Sequence, residues 1–444
     1  MWDKTKECGI ISGENKKITT NPKIMATFSH YFMSKILGLQ GVVIYKADCD
    51  EDGYQIKIGQ PRKPRSCPFC ESKKVHNHGK GRKRTIKHAR ALDGKNIYLH
   101  WQSKRFLCAE CGKSWSQSPP ENLVRGKEQY SVSHAAQAIR DLKNNSFNYT
   151  AENNGMSYSV LSKKLKEVVP ESPEIVQKIW PKEGTVSLGI DEHGRVKKRL
   201  ALTITMLKPK REVLRISPGA TAKELRKWVL NNLTEKQMLQ VNEICMDMKK
   251  SLRKCLRQLF PNARFVVDKF HIIQYLNHLI ALEYQSCYRR VPPGVKNKLP
   301  GKGKELHVTR ILQQSGMNWN EKEKEKVKTV FFNFPEVAKL WYIKEEVRAV
   351  YREYHQRDRK EAKERLEYIF SWLPEVPKRT LNYFLEEMLN YFDNHTTNAY
   401  VEGKHTKCKL IKRQSFGIKN EEIYVKKLML GLCEPKYLNF PHTF

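Results

Sequence analysis

The chain has 444 residues, 39% of them hydrophobic with 8 Trp, 19 Tyr and 17 Phe, which is enough apolar material for packed cores and excludes a disordered chain. Its 82 Lys and Arg against 47 Asp and Glu give a formal charge of +35, which repels itself unless a polyanion is near and so points to nucleic acid. No apolar run approaches the roughly 20 residues that span a bilayer, residues 1–17 lack the apolar stretch of a secretory signal, and 11 scattered Cys fit a reducing compartment with a metal site better than a disulfide framework.

Residues 1 to about 25 are polar and give no periodic signal. Residues 36–45 read as a helix end followed by a strand, and alternation over Tyr54, Ile56 and Ile58 gives a second strand. Two CxxC pairs follow, Cys67–Cys70 and Cys108–Cys111, with basic clusters at Arg62, Lys63 and Arg65 and at Arg82, Lys83 and Arg84. Four thiolates on two knuckles are the ligand set of a closed, structural zinc site. The gap between the knuckles holds two strands, one of them over 97–101. Trp101 and Trp115 can pack on the module, and His76 and His78 are spare ligands it does not need. We bound this zinc-stapled β module at 35–118.

Residues about 121–170 read as helical. One helix opens at Ser133, residues 153–157 form a turn, and Ser157 caps a helix over 158–168 that carries Lys163, Lys164 and Lys166. Helix, glycine turn and basic helix make the helix-turn-helix pattern, which places the second helix on DNA; a plain helical hairpin reads the same way.

From 181 the pattern changes. Strands are expected over 186–190, 200–206, 212–216, 241–246 and 264–267, with helices over 221–233 (Thr221 and Glu224 forming a capping box) and 250–259. Three antiparallel strands, then helix, strand, helix, strand, is an α/β order with a mixed sheet, and it is the order of an RNase H-like core. Residues 273–395 are long, charged and helical, with a loop rich in Pro, Gly and Lys over 291–304 and a salt-laced segment over 320–326. A basic helix opens at Thr397 and carries Glu402, Lys404, Lys409 and Arg413. Thus the fold class is multidomain α+β: segment 1–34, zinc module 35–118, helix-turn-helix region 119–180, core 181–272, helical insertion 273–395, and the glutamate helix with the C-terminus at 396–444.

Asp191, Asp247 and Asp268 each follow an apolar strand, where ligands of open α/β sheets bind. Carboxylates gathered there repel one another and call for a cation; hard oxygen donors select Mg²⁺ or Mn²⁺. Asp at a strand end is also ordinary turn chemistry. Two ions about 3.5–4 Å apart suit in-line phosphoryl transfer at a DNA backbone, and Glu402 is the expected fourth carboxylate, with Lys409 and Arg413 further along its helical face to follow a backbone.

The segments 188–192, 246–248, 267–271 and 398–403, holding Asp191, Asp247, Asp268 with His271, and Glu402, resemble the ordered signature of bacterial insertion-sequence transposases of the ISL3 family, as does the tail 411–417. The resemblance covers nearly the whole chain. It implies a DDE triad on an RNase H-like fold, a helical insertion before the glutamate, and cutting and joining at terminal inverted repeats. Asp191 is then the first acid and Glu402 the last. Asp247 or Asp268 is the middle one, and the resemblance favours Asp247, which follows the fourth strand as in related transposases. Asp268 and His271 resemble an Asp-x-x-His motif, in which His271 orients a neighbour or meets the scissile phosphate; a satisfied core histidine is the other reading. Glu192 points away from the metals and is an accessory group at most. The expected partners are double-stranded DNA, both transposon ends and target, and a second copy of the chain, as a homodimer or higher oligomer on DNA. The expected location is the bacterial cytoplasm at the nucleoid. A zinc and helix-turn-helix regulator without catalysis, and a structure-selective nuclease on the same core, are the alternatives.

Overall fold

A computed structural model describes residues 32–441 apart from 40, 61–63, 92, 197–198, 293–295, 297–298, 300–304 and 354–357. The expected features at 1–31, Arg62, Lys63 and most of the 291–304 loop lie outside the described residues. The chain divides into two compact units, one of residues 1–141, 148–164 and 440–444, the other of 142–147 and 165–439.

The first unit is built on strands β1 (Val43–Cys49), β2 (Gly53–Gly59), β3 (Val75–Arg90), β4 (Asn96–Cys108) and β5 (Ser114–Ser116), in the order β1-β2-β4-β3 with β5 on β4. The β1/β2 and β3/β4 pairs are antiparallel, whereas β2 runs parallel to β4. Alternate residues of β4, Ile97, Leu99 and Trp101, enter one core with Ile56, Ile58 and Ile86, as the period-2 pleat dictates. The strand expected at 97–101 is longer because β3 pairs with it from Arg90↔Asn96 to Val75↔Cys108. Helices Val132–Leu142 and Tyr158–Val168 form as expected, with a further one over Phe147–Asn154. Gly155 sits between the last two in the left-handed region at φ 58, a conformation that strains any residue with a Cβ. The Ser157 hydroxyl then accepts from the Val160 N–H at 3.3 Å.

The second unit holds a mixed sheet of β6 (Val186–Val196), β7 (Arg199–Lys208), β8 (Glu212–Pro218), β9 (Val241–Met246) and β10 (Arg264–Val267), ordered β10-β9-β6-β7-β8. β6, β7 and β8 form an antiparallel meander, and β9 and β10 lie parallel to β6. Helices Ala222–Asn232 and Glu235–Gln240 precede β9, and Lys250–Leu259 joins β9 to β10. Thr221 and Glu224 form the expected capping box. One expectation is corrected: β6 does not end at Asp191. It runs on to Val196 because its antiparallel partner β7 continues the ladder, pairing Asp191 with Thr203 and Val196 with Arg199.

After β10 come helices Lys269–Arg290, Glu305–Gln313, Glu321–Asn333, Pro335–Glu353, Arg359–Ser371 and Glu375–Tyr383. Their apolar faces merge with the edge of the sheet, since Cys245, Val266 and Val267 belong to the same buried cluster as Ile272, Leu276, Val347, Phe370 and Phe392. The salt-laced stretch at 320–326 is the capped start of an amphipathic helix that buries Val327 and Val330. Helices Ala399–Gln414 and Glu421–Leu432 complete the unit. No described helix is long and apolar enough to cross a membrane.

Candidate metal centres

The antiparallel β3/β4 hairpin sets Val75 opposite Cys108, and so brings the turn before β3 against the turn after β4. Cys67 Sγ lies 3.7 Å from Cys111 Sγ, and Cys70 Sγ 3.6 Å from Cys108 Sγ. All four sulfurs lie within 4.8 Å of one another, the one such group of His, Cys, Asp or Glu among the described residues. This is the shape of a tetrahedral zinc-thiolate site. Backbone N–H groups of Cys111 and Glu110 pull the Cys108 thiol down to about 6, towards the thiolate that binds metal. Phe106 and Trp115 cover the knuckles. His76 and His78 sit exposed on β3 and take no part. The four cysteines are a structural zinc site.

The second site is acidic. In the parallel part of the sheet Gly189 pairs with Cys245 and Met246 with Val267. Carried forward, that register sets Asp191, Asp247 and Asp268 abreast on three neighbouring strands, roughly 4.8 Å apart strand to strand. Asp191 is buried. Burial pushes its carboxyl up to about 6, against the pull of His271, and the charges of Asp247 and Asp268 add to the rise. His271 Nε2 stands 3.6 Å from Asp191 Oδ1, and His405 Nδ1 3.5 Å from Asp191 Oδ2.

Among the described residues the carboxylates do not gather to ligand distance as the thiols do, and Asp268 is otherwise engaged. Asp268 caps the helix Lys269–Arg290, accepting from the Phe270 N–H at 2.9 Å, and accepts from the Asn398 N–H at 2.5 Å. Asp247 accepts from the Lys249 N–H at 3.2 Å and remains half-buried. Its turn is tied down from behind, where buried Arg253 donates to the Asp247 carbonyl at 2.5 Å and pairs with Glu387. Glu192 pairs with Lys249.

Glu402 reaches the site through a run of anchors. Buried Glu243 on β9 accepts from Asn394 Nδ2 at 3.1 Å and from the Thr396 hydroxyl. Asn398 donates through its side chain to the Ile190 carbonyl at 3.3 Å. Gly189 permits this approach: a Cβ there would stand 2.7 Å from Asn398 Oδ1 and 2.9 Å from Val401. The helix Ala399–Gln414 then buries Val401, His405, Cys408 and Ile411, which leaves Lys409 and Arg413 exposed. Burial and the Asp268 charge push the Glu402 carboxyl up.

Of the remaining basic residues, Lys163 is exposed, with its ammonium 3.5 Å from Glu128. Lys164 is buried with its ammonium 2.6 Å from the same carboxylate, so it faces inward and the surface role expected of it is corrected. Lys166 pairs with Glu422 at 2.6 Å, and Lys404 covers the Tyr400 ring and donates to the Leu432 carbonyl at 3.3 Å. Sequence reasoning missed His405, Arg253 and Asn398. His405 had a signal, because a residue three positions after Glu402 shares its helical face; Arg253 and Asn398 act through backbone contacts that no pattern announces.

Residues 188–428, over half of the chain, match the transposase family DDE_Tnp_ISL3. Residues 63–111 match the zinc-finger of transposase IS204/IS1001/IS1096/IS1165. No curated protein matches the chain.

Proposed function

The chain belongs to the ISL3 family of transposases, and from that premise we propose that it binds the terminal inverted repeats of its insertion sequence and cuts and joins DNA strands by a DDE mechanism on Asp191, Asp247 and Glu402. The observation that carries this reading is the parallel register that sets Asp191 and Asp247 abreast, with the Glu402 helix anchored across their strands through Asn398. The strand order β10-β9-β6-β7-β8 supports an RNase H-like core over 181–272 and 396–444, with 273–395 as its insertion.

The donor set suits a hard dication, because it is carboxylate oxygen throughout and burial with acidic neighbours already raises Asp191 to about 6. Two Mg²⁺ or Mn²⁺ ions, when bound, would activate the attacking oxygen and stabilise the leaving one. Asp191, Asp247 and Glu402 would hold them. Asp247 is the better middle acid, since the Asp268 carboxylate is already committed to two backbone N–H groups. Asp268 then positions the start of the Glu402 helix. His271 orients the Asp191 carboxylate from one side.

DNA binding falls to the zinc module at 35–118 and the helix-turn-helix region at 119–180, with Lys163 and Lys166 on the second helix. Lys404, Lys409 and Arg413 follow the strand leaving the acids. Two ends must be held at once, so the working form is a homodimer or larger on DNA, in the bacterial cytoplasm at the nucleoid.

The test is cleavage and joining of a labelled end of the encoding element in Mg²⁺. Wild type should cut and join. Asp247→Asn should be dead, while Asp268→Asn should cut slowly and lose hydrogen-exchange protection at 398–402. If Asp268→Asn is dead with that protection intact, Asp268 is the middle acid. A wild type that binds the end yet cuts in no divalent metal is a regulator, and one that cuts without joining is a nuclease.

A further inference from the structure

Beside the acids lies a cavity of about 500 Å³ lined by Asp268 and Glu402 together with Lys269, Phe270, Arg348 and Arg352, a size that takes a small organic group. Two chemistries meet in it. The carboxylates suit cations, whereas the two arginines and the lysine suit an anion. Arg348 and Arg352 are four residues apart on the helix Pro335–Glu353, so they share one face. Each guanidinium has five N–H donors in a planar fork. Arg348 gives one to the Gln313 carbonyl at 3.1 Å and holds its Nε 3.7 Å from Glu345, and Arg352 gives one to Glu353 at 3.3 Å and one towards Met317 Sδ at 3.8 Å. Donors remain on both forks for a phosphate, the geometry such forks recognise best.

Phe270 supplies the third element. The helix it opens buries Ile272, Leu276 and Ile280, yet the Phe270 ring is 45% exposed. It stands edge-on to His271 at 5.7 Å, and so within reach of the group that flanks Asp191. An exposed aromatic ring beside a cationic fork is the combination that holds an unstacked base and its phosphate.

We infer that this cavity receives one nucleotide of the transposon end, next to the reacting phosphate and turned out of the duplex, with its base on Phe270 and its phosphate on Arg348 and Arg352. The inference rests on the transposase reading above and adds the helical insertion as a wall of the substrate site. A base inside a duplex presents no free face, so an enzyme that stacks on one must take it out. The opposed charges order the strand: reacting phosphate at Glu402, neighbouring phosphate at the arginines.

The test uses the full chain and duplexes of the encoding element's end, fully paired or with an abasic nucleotide placed in turn at each position flanking the cut. Phe270→Ala should slow cleavage of the paired end tenfold or more, and an abasic site at one position should restore most of the rate, since no base then needs turning out. Phe270→Trp should keep the rate on the paired end. Arg352→Ala should slow cleavage of an ordinary end but have no further effect when the phosphate at that position is a neutral methylphosphonate. Equal losses on paired and abasic ends, or an Arg352 effect indifferent to the methylphosphonate, would overturn the inference while wild-type cleavage leaves the transposase reading standing. Wild-type chain that cuts none of these ends removes both.

Discussion

At Gly189 a single hydrogen atom separates the sheet from the helix that carries Glu402. Adding a methyl group puts Cβ 2.7 Å from Asn398 Oδ1, 2.8 Å from Thr205 Oγ1 and 2.9 Å from Val401, and two of those three atoms belong to the segment that sets Glu402. Overpacking of this kind costs about 1–3 kcal/mol, and it presses on the start of the helix as well as on the sheet. Gly189→Ala should therefore lower the melting temperature by a few degrees, keep its zinc, and lose cleavage by two or more orders of magnitude, because displacing a catalytic group by about 1 Å can cost a hundredfold. A variant that melts lower yet cuts at the wild-type rate would show that Glu402 does not depend on this contact. The strands that carry or precede Asp191, Asp247 and Asp268 were legible in the sequence because each is a plain apolar run. The reason for Gly189 was not, since its neighbours Asn398 and Val401 lie some two hundred positions away in the chain. Asp268 shows the same limit: its place after a strand is written locally, but its bond to the Asn398 N–H exists only in the folded chain, so the sequence alone leaves Asp247 and Asp268 equivalent as strand-end acids.

Elements whose signals are local came out as read: the Thr221 capping box, the Ser157 turn and the two cysteine knuckles. Elements decided by a partner did not. β6 outruns its apolar stretch because β7 extends the ladder, and β4 outruns 97–101 because β3 does. The β3/β4 hairpin also closes the zinc site, so metal and hairpin form one cooperative piece. Chelation should release one zinc per chain and abolish hydrogen-exchange protection across Val75–Ser116, and Cys108→Ser should do the same without chelator; protection that survives with the metal gone would make the zinc dispensable to the hairpin. A second element responds to acid. His134, on the helix Val132–Leu142, is buried with its Nε2 3.0 Å from the Asn154 carbonyl, and burial pulls its pKa down to about 4. The native side chain thus stays neutral where the unfolded one, near 6.5, gains a proton. The unfolded state binds more protons as pH falls through 6.5 towards 4, so stability is lost over that window and is whole above it. Between pH 7 and pH 5 this amounts to roughly 2 kcal/mol. Unfolding of the full chain at both pH values, wild type beside His134→Gln, should show a smaller acid loss in the variant; equal losses would assign the acid sensitivity elsewhere.

The net charge of +35 is a property of the whole chain, and its distribution decides what DNA can use. Cations that meet phosphates displace condensed counterions, and each adds about one to the slope of log affinity against log salt. Cations buried within the fold do not, however basic the sequence around them looks. Lys163 and Lys164 make the contrast at adjacent positions. Lys164 is 6% exposed and held by Glu128, and Lys163 is exposed beside the same carboxylate. Lys409 and Arg413 lie on the exposed face of the Glu402 helix. Binding of the full chain to its transposon end should therefore weaken by about 10³–10⁵ between 50 and 200 mM salt if some six to ten phosphates are engaged. Lys163→Ala, Lys409→Ala and Arg413→Ala should each reduce the slope by about one with an unchanged melting temperature. Lys164→Ala should do the reverse: it leaves Glu128 without its buried partner, so the chain melts lower while the slope stays where it was. A Lys164→Ala slope that falls like the others would mean that the lysine leaves Glu128 to meet DNA, and that this helix rearranges on binding.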